Sequence, residues 1–128
     1  MRPVEQVELA VGGIPGDRHF APESARQLLL LEAETVDALG LQAGQVRENL
    51  TVGGLPLMGL LAGTRIRLGQ AELEITKVCE PCSVMDTIRP GLQQELQGRR
   101  GMLARVVVAG VVRRGDRAAV VEAAEAPA

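Results

Sequence analysis

A chain of 128 residues with 46% apolar and 23% charged residues has the make-up of an ordinary globular domain. It is large enough to bury roughly two-thirds of its unfolded surface without a covalent staple. A net charge of −2 and a single aromatic residue, Phe20, deny it both the basic face that phosphate backbones need and the stacking platforms of single-strand binders, so no nucleic-acid partner is expected. The start, Met1-Arg2-Pro3-Val4-Glu5, has no apolar signal core and no run reaches spanning length, which predicts a cytoplasmic protein with no membrane partner.

The chain opens on Val4, Val7, Leu9 and Val11 set around Glu5, Gln6 and Glu8, a first strand. Gly12-Gly13-Ile14-Pro15-Gly16-Asp17-Arg18-His19 holds too much Gly and Pro for a regular element and reads as a loop. Its end places an acid, a base and the one histidine in a row. That is either a solvated turn or one polar wall of a site, since loops on a rigid scaffold often carry function. Arg26 to Leu31 is a dense apolar run, too short for a helix and plausible as a buried strand. Glu32 to Leu39 has Val36 and Leu39 at helical spacing, with Gly40 as a stop, and predicts one short helix acting as a lid on the sheet.

In Arg47-Glu48-Asn49-Leu50-Thr51-Val52-Gly53-Gly54-Leu55, Leu50 and Val52 give a short strand, and the paired glycines give a turn or a close backbone approach. Arg47 offers a planar fork suited to carboxylate or phosphate, and Asn49 both donates and accepts. A surface salt bridge and a turn-forming Asn would use the same residues.

From Thr64 the pattern becomes hairpins. Thr64 to Leu68 alternates, Gly69-Gln70 turns, and Ala71 to Val78 returns antiparallel, with Leu73 and Ile75 between Glu72, Glu74 and Thr76 in the two-residue period of a half-buried strand. This strand delivers Cys79-Glu80-Pro81-Cys82, which contains both cysteines of the chain. Pro81 cannot donate to a ladder, so pairing is expected to stop there and leave Cys82 at a strand end or in a loop, open to approach. Lys77 shares a strand face with Cys79 and would favour its thiolate, whereas Glu80 would oppose it. Two inert buried cysteines are the plainer alternative. Close spacing in a cytoplasmic chain points to catalysis, metal or redox chemistry more than to a structural disulfide. A zinc site has Cys79, Cys82 and His19 and remains one ligand short unless Asp17 joins.

Beyond the cysteines, Ser83 to Gln97 is mixed, with Leu92 and Leu96 marking a helical turn or two after Pro90-Gly91. Leu103 to Ala109 is a buried strand, Arg114-Gly115-Asp116 a tight turn, and Ala118 to Val121 the last strand. The reading is one domain over residues 1–122 and a flexible tail over 123–128. With six or seven short strands and few helices, it is mainly β and barrel-like.

The ordered set Gly16-Asp17-Arg18-His19, Arg47-Glu48-Asn49-Leu50-Thr51 with Gly53-Gly54-Leu55, Cys79-Glu80-Pro81-Cys82, Gly98-Arg99-Arg100-Gly101 and Arg114-Gly115-Asp116 resembles the MOSC domain. That module is named for the C-terminal domain of molybdenum-cofactor sulfurases; it also occurs as stand-alone bacterial proteins and in the mitochondrial amidoxime-reducing component. The resemblance covers nearly the whole chain and implies a small β-barrel-like fold. Carried over to this sequence, the functional cysteine is Cys82, which either ligates molybdenum or carries sulfane sulfur.

Three functions follow. In the first, Cys82 is the catalytic residue and the molybdenum ligand, and Asp17, His19, Arg47 and Asn49 help to bind molybdopterin, for reduction of N-hydroxylated small molecules. In the second, Cys82 holds a persulfide for transfer between a sulfur donor and an acceptor protein. In the third, Cys79 and Cys82 form a redox dithiol. That third reading fits poorly with an antiparallel hairpin leading into the motif, because thioredoxin-like motifs sit in a βαβ unit. No pyridoxal phosphate is expected, since the desulfurase domain of the sulfurases has no counterpart. No flavin or iron–sulfur motif is present, so a reductase would draw electrons from a separate partner.

Overall fold

The computed structural model describes residues 4–124, and among them the alternating segments become eight strands. These are β1 (Gln6–Leu9), β2 (Leu28–Glu32), β3 (Leu50–Val52), β4 (Arg65–Leu68), β5 (Ala71–Val78), β6 (Met102–Val108), β7 (Gly110–Arg113) and β8 (Ala118–Glu122). Three short helices interrupt them: α1 (Ala33–Ala38), α2 (Met85–Ile88) and α3 (Leu92–Glu95). Six strands form one sheet in the order β3-β2-β6-β5-β4-β8, and β1 pairs with β7 apart from it. The six-stranded sheet curls into half of a small barrel, so the expected mainly β, barrel-like fold with a few short helices is the observed one.

The hairpin β4–β5 closes through Gly69-Gln70, with Ile66 opposite Leu73 and Leu68 opposite Ala71. Gly69 takes a positive φ of 58°, which a two-residue hairpin turn requires and which glycine adopts at no steric cost. Along β5, Ala71, Leu73 and Ile75 are fully buried while Glu72 and Glu74 stand between them half-exposed, the pattern of a strand with one face on the core. They join Leu28, Leu30, Ile66, Met102, Ala104 and Val106 in the main core.

β2 differs, because Leu28, Leu29, Leu30 and Leu31 are all buried. Leu28 and Leu30 face the main core. Leu31 points the other way, into a second cluster with Val36, Leu41, Val46, Met85, Leu92 and Leu96. Burial on both faces is why this strand is a continuous apolar run instead of an alternation. The helix expected over 32–39 is α1. With α2 and α3 it covers the back of β2, and the chain after it returns as β3, parallel to β2.

Several expectations are corrected. The first strand begins only at Gln6, and Val4 and Val11 are exposed, because the chain turns immediately after Leu9 and closes on an Ala10–Gly13 bridge. β7 was not foreseen: Gly110 to Arg113 pairs with β1, giving eight strands instead of six or seven. β5 runs from Ala71 to Val78 as expected, and one further bond, from the Cys79 amide to the Gly101 carbonyl at 3.0 Å, ends the pairing before Pro81. Lys77 is exposed and lies opposite Leu103 of β6. The register shifts between Ile75 and Lys77, a bulge that interrupts the strict alternation at that point. The Ala124 amide donates to Thr64 Oγ1 at 3.3 Å, and the rest of the expected tail, 125–128, lies outside the described residues.

Candidate functional site

Period two along β2 and β6 also builds the site. With Leu28, Leu30, Met102 and Ala104 directed into the core, their neighbours Leu29 and Leu103, which are register partners, face the opposite side. There they floor a cleft of about 650 Å³, within the usual range for pockets that hold a small organic ligand or cofactor. Asp17, Arg18 and His19 line one wall, Arg47 and Asn49 another, and Cys79, Glu80 and Cys82 a third. Arg26, Gln27 and Arg100 complete it. All five residues expected to bind a cofactor (Asp17, His19, Arg47, Asn49 and Cys82) thus meet in one cavity, although they come from three separate loops.

The cysteines arrive on the end of β5. Past the last ladder bond the chain leaves the sheet, and Pro81 prevents it from rejoining. Both thiols are free; Cys82 is exposed and Cys79 half-buried, the Cys79 thiol lying 3.9 Å from the Glu80 carbonyl oxygen. Cys82 is therefore the one open to a ligand or a partner. Among the described residues no group of three or more His, Cys, Asp or Glu side chains is placed to hold a metal ion, so the zinc reading has no cluster behind it.

The first loop is a hydrogen-bonded turn that also lines the cleft. Asp17 Oδ2 accepts the His19 amide hydrogen at 3.0 Å and lies 3.4 Å from His19 Nδ1, which organises the turn. The same turn presents the pair to the cleft. Gln27, 1% exposed, braces this loop to the sheet: its Nε2 donates to the Ala21 carbonyl at 3.0 Å and its Oε1 accepts from the Val106 amide at 2.9 Å.

Asn49 has a structural task that its residue type alone did not reveal. Its backbone amide donates to the Leu29 carbonyl at 2.9 Å, and its Oδ1 accepts the Leu29 amide hydrogen at 2.8 Å. It extends the β2–β3 pairing by one residue, satisfies the peptide under the cleft floor and leaves its amide nitrogen as a donor. Arg47 is exposed and forms no ion pair among the described residues, so the surface salt bridge considered for it is absent there. Its φ of 67° makes it the one non-glycine residue with positive φ among those described, a conformation costly enough to persist only where the surroundings impose it.

Arg100 was missed as a site residue, as were Arg18, Arg26 and Gln27. In the tandem Arg99-Arg100, Arg99 Nε donates to the Glu95 carbonyl at 2.8 Å, finishing α3. Arg100 instead turns inward, is 6% exposed, and donates from Nη2 to the Val46 carbonyl at 2.8 Å; its Nη1 is buried without a partner. The one sequence signal was Gly101, whose φ of 129° and approach to the Leu30 carbonyl fix where the preceding residue points. Four arginines (18, 26, 47, 100) face this cleft against two carboxylates, Asp17 and Glu80. The cavity is thus locally cationic in a chain whose net charge is −2, and like-signed walls concentrate ligands of the opposite charge.

A curled, mainly antiparallel sheet thus carries an exposed cysteine into an arginine-lined cleft. The chain belongs to the MOSC domain family, whose model matches residues 15–119. Among solved structures it is similar to the YUAD protein from Bacillus subtilis, with a TM-score of 0.79 and 23% identity over 95% of this chain and 87% of that one. It is similar also to YiiM from Escherichia coli (TM-score 0.75, 21% identity, 94% of this chain and 64% of that one). YiiM from Geobacillus stearothermophilus follows at a TM-score of 0.67 and 24% identity, over 77% and 55% of the two chains. The chain thus spans less than two-thirds of the length of either YiiM. No curated protein sequence matches it significantly.

Proposed function

We propose that the protein binds a molybdenum cofactor in this cleft and acts on small N-hydroxylated compounds, with Cys82 as the metal ligand. The observation that supports the reading best is the pairing of one exposed thiol with a locally cationic cavity of about 650 Å³. The donor set suits such a group: a soft thiolate matches a soft metal centre, and guanidinium groups match a pterin phosphate. Arg100 Nη1, buried and without a partner, shows further that the positive charge here is not used up by the protein's own carboxylates.

When bound, the cofactor would supply two-electron oxygen-atom chemistry. Arg47 would meet the phosphate charge with paired N–H donors, because an unpaired buried anion is very costly. The free amide nitrogen of Asn49 would add a neutral donor, and Leu29 and Leu103 would exclude water from beneath. Asp17 orients His19, which gives the opposite wall an imidazole placed for hydrogen bonding. Electrons would come from a separate reductase, so turnover is expected with dithionite and not with a nicotinamide donor alone.

The exposure of Cys82 also favours a second reading, in which the thiol carries a persulfide and passes its outer sulfur to a partner protein; a cytoplasmic, reducing setting serves either case. Protein made in a molybdopterin-competent host and analysed for molybdenum and zinc, and for sulfur released by cyanide, separates the two. Molybdenum near one per chain, lost in Cys82→Ser and partly kept in Cys79→Ser, supports the first. Cyanide-labile sulfur without molybdenum supports the second. Equal loss in both variants, with a disulfide in the parent protein, would support dithiol chemistry and defeat both.

A further inference from the structure

The loop 44–49 delivers Arg47 and Asn49 to the cleft, and it is held from two sides. From within, Glu48 is 3% exposed, and its Oε2 accepts from the Gly44 amide at 2.9 Å and from the Thr51 hydroxyl at 3.1 Å. From the β6 side, Arg100 Nη2 donates to the Val46 carbonyl at 2.8 Å.

That carbonyl belongs to the peptide unit joining Val46 to Arg47. The N–H of the same unit donates to the Gly44 carbonyl at 3.0 Å. One peptide plane is therefore pinned at both ends, by Arg100 at its oxygen and by Gly44 at its nitrogen. Its orientation sets the φ of Arg47, the strained 67°. Released at the oxygen end, the plane is held only through its N–H to Gly44, and relaxation of Arg47 out of the left-handed region would carry its side chain away from the cleft.

We propose that Arg100 is the positioning residue of this cleft: it locks the Val46–Arg47 peptide and so holds the Arg47 guanidinium toward Cys82. The inference rests on the reading of Arg47 as the anion-binding group. It explains why an arginine without an ion pair among the described residues stays buried behind a ligand cavity, where a charge would ordinarily be excluded or paired. It also explains why the tandem is not redundant, since Arg99 serves α3 while Arg100 serves the loop.

The test uses metal-free protein in a Cys79→Ser background, so that a single thiol reacts. Cys82 is alkylated in parallel by iodoacetate, which is anionic, and by iodoacetamide, which is neutral, and the ratio of rates is compared with that of glutathione. General loosening of the fold changes both rates together, whereas loss of the placed guanidinium lowers the ratio. Since like-signed clefts raise encounter rates about tenfold or more, Arg100→Met is expected to lower the ratio about threefold or more, as Arg47→Ala does. In the double variant the ratio falls no further than in Arg47→Ala alone, because Arg100 acts through Arg47. An unchanged ratio in Arg100→Met, or effects that multiply in the double variant, overturns the proposal. Should Arg100→Met not fold, Arg100→Lys is read the same way: the ratio drops although the charge is kept, and a parental ratio overturns the proposal. A parental ratio no higher than that of glutathione defeats the anion-binding reading and this proposal together. Absence of molybdenum from the native protein would sink the cofactor assignment while leaving this result standing.

Discussion

Asn49 joins the fold to the site, and two substitutions separate those tasks. Its Oδ1 accepts the Leu29 amide hydrogen at 2.8 Å, and Leu29 is 8% exposed, so little water can replace that acceptor. Asn49→Ala strands a buried donor, which costs about 1–3 kcal/mol. At about 2 cal/mol/K of unfolding entropy per residue, a chain of this length loses about 4 °C of Tm per kcal/mol, so a fall of about 4–12 °C is expected in cofactor-free protein. Asn49→Asp keeps an oxygen acceptor in the same place and should lose much less stability, yet it replaces the free amide donor with a negative charge beside the anion site. The pair of variants is assayed by thermal unfolding of metal-free protein and by phosphate or pyrophosphate titration. Asn49→Ala should fail mainly in the first assay and Asn49→Asp mainly in the second. Equal stability of Asn49→Ala and the parent would refute the assigned role of Oδ1. Undiminished anion affinity in Asn49→Asp would refute the placement of the anion.

Arg47 sits in a left-handed conformation without an ion pair among the described residues, so Arg47→Ala should change apo stability by less than about 0.5 kcal/mol, while Arg47→Gly gains up to about 1 kcal/mol by relieving strain. Both should weaken cofactor retention by about 2–5 kcal/mol; a large loss of apo stability with unchanged cofactor content would make Arg47 a structural residue. Gly101→Ala places a Cβ against the Leu30 carbonyl at a φ of 129°, which should cost about 3 kcal/mol or more in chemical denaturation, and near-parental stability would contradict the close approach. Glu34 accepts the Gly54 amide hydrogen at 2.9 Å, which holds its carboxyl below the ordinary 4.5. Because the folded value is the lower one, the charged carboxylate's contribution is complete above 4.5 and is lost as pH falls through the folded pKa. Stability curves of the parent and Glu34→Gln should therefore differ at neutral pH and converge in acid; parallel curves down to pH about 3 would dismiss the linkage.

Local pattern was enough for most of the sheet. The alternation of Leu73 and Ile75 with glutamates, the Gly69-Gln70 turn and the all-apolar Leu28–Leu31 run each report a periodicity that burial alone imposes on a strand. The candidate cluster was legible for a different reason: Asp17, His19, Arg47, Asn49 and Cys82 stand out by type, and the ordered motifs gave them a common family. Tertiary structure decided what those residues touch. β7 pairs only because β1 is beside it, and the bulge after Ile75 depends on the register with β6. Asn49 became a partner of Leu29 twenty positions away. Only the following Gly101 set Arg100 apart from Arg99 along the chain, since side chains adjacent in sequence point in different directions and the packed sheet determines which enters the interior. A thiol, a guanidinium and an amide can be recognised one at a time; whether they share a cavity, and what holds each in place, is set by the long-range pairing that brings three loops over Leu29 and Leu103.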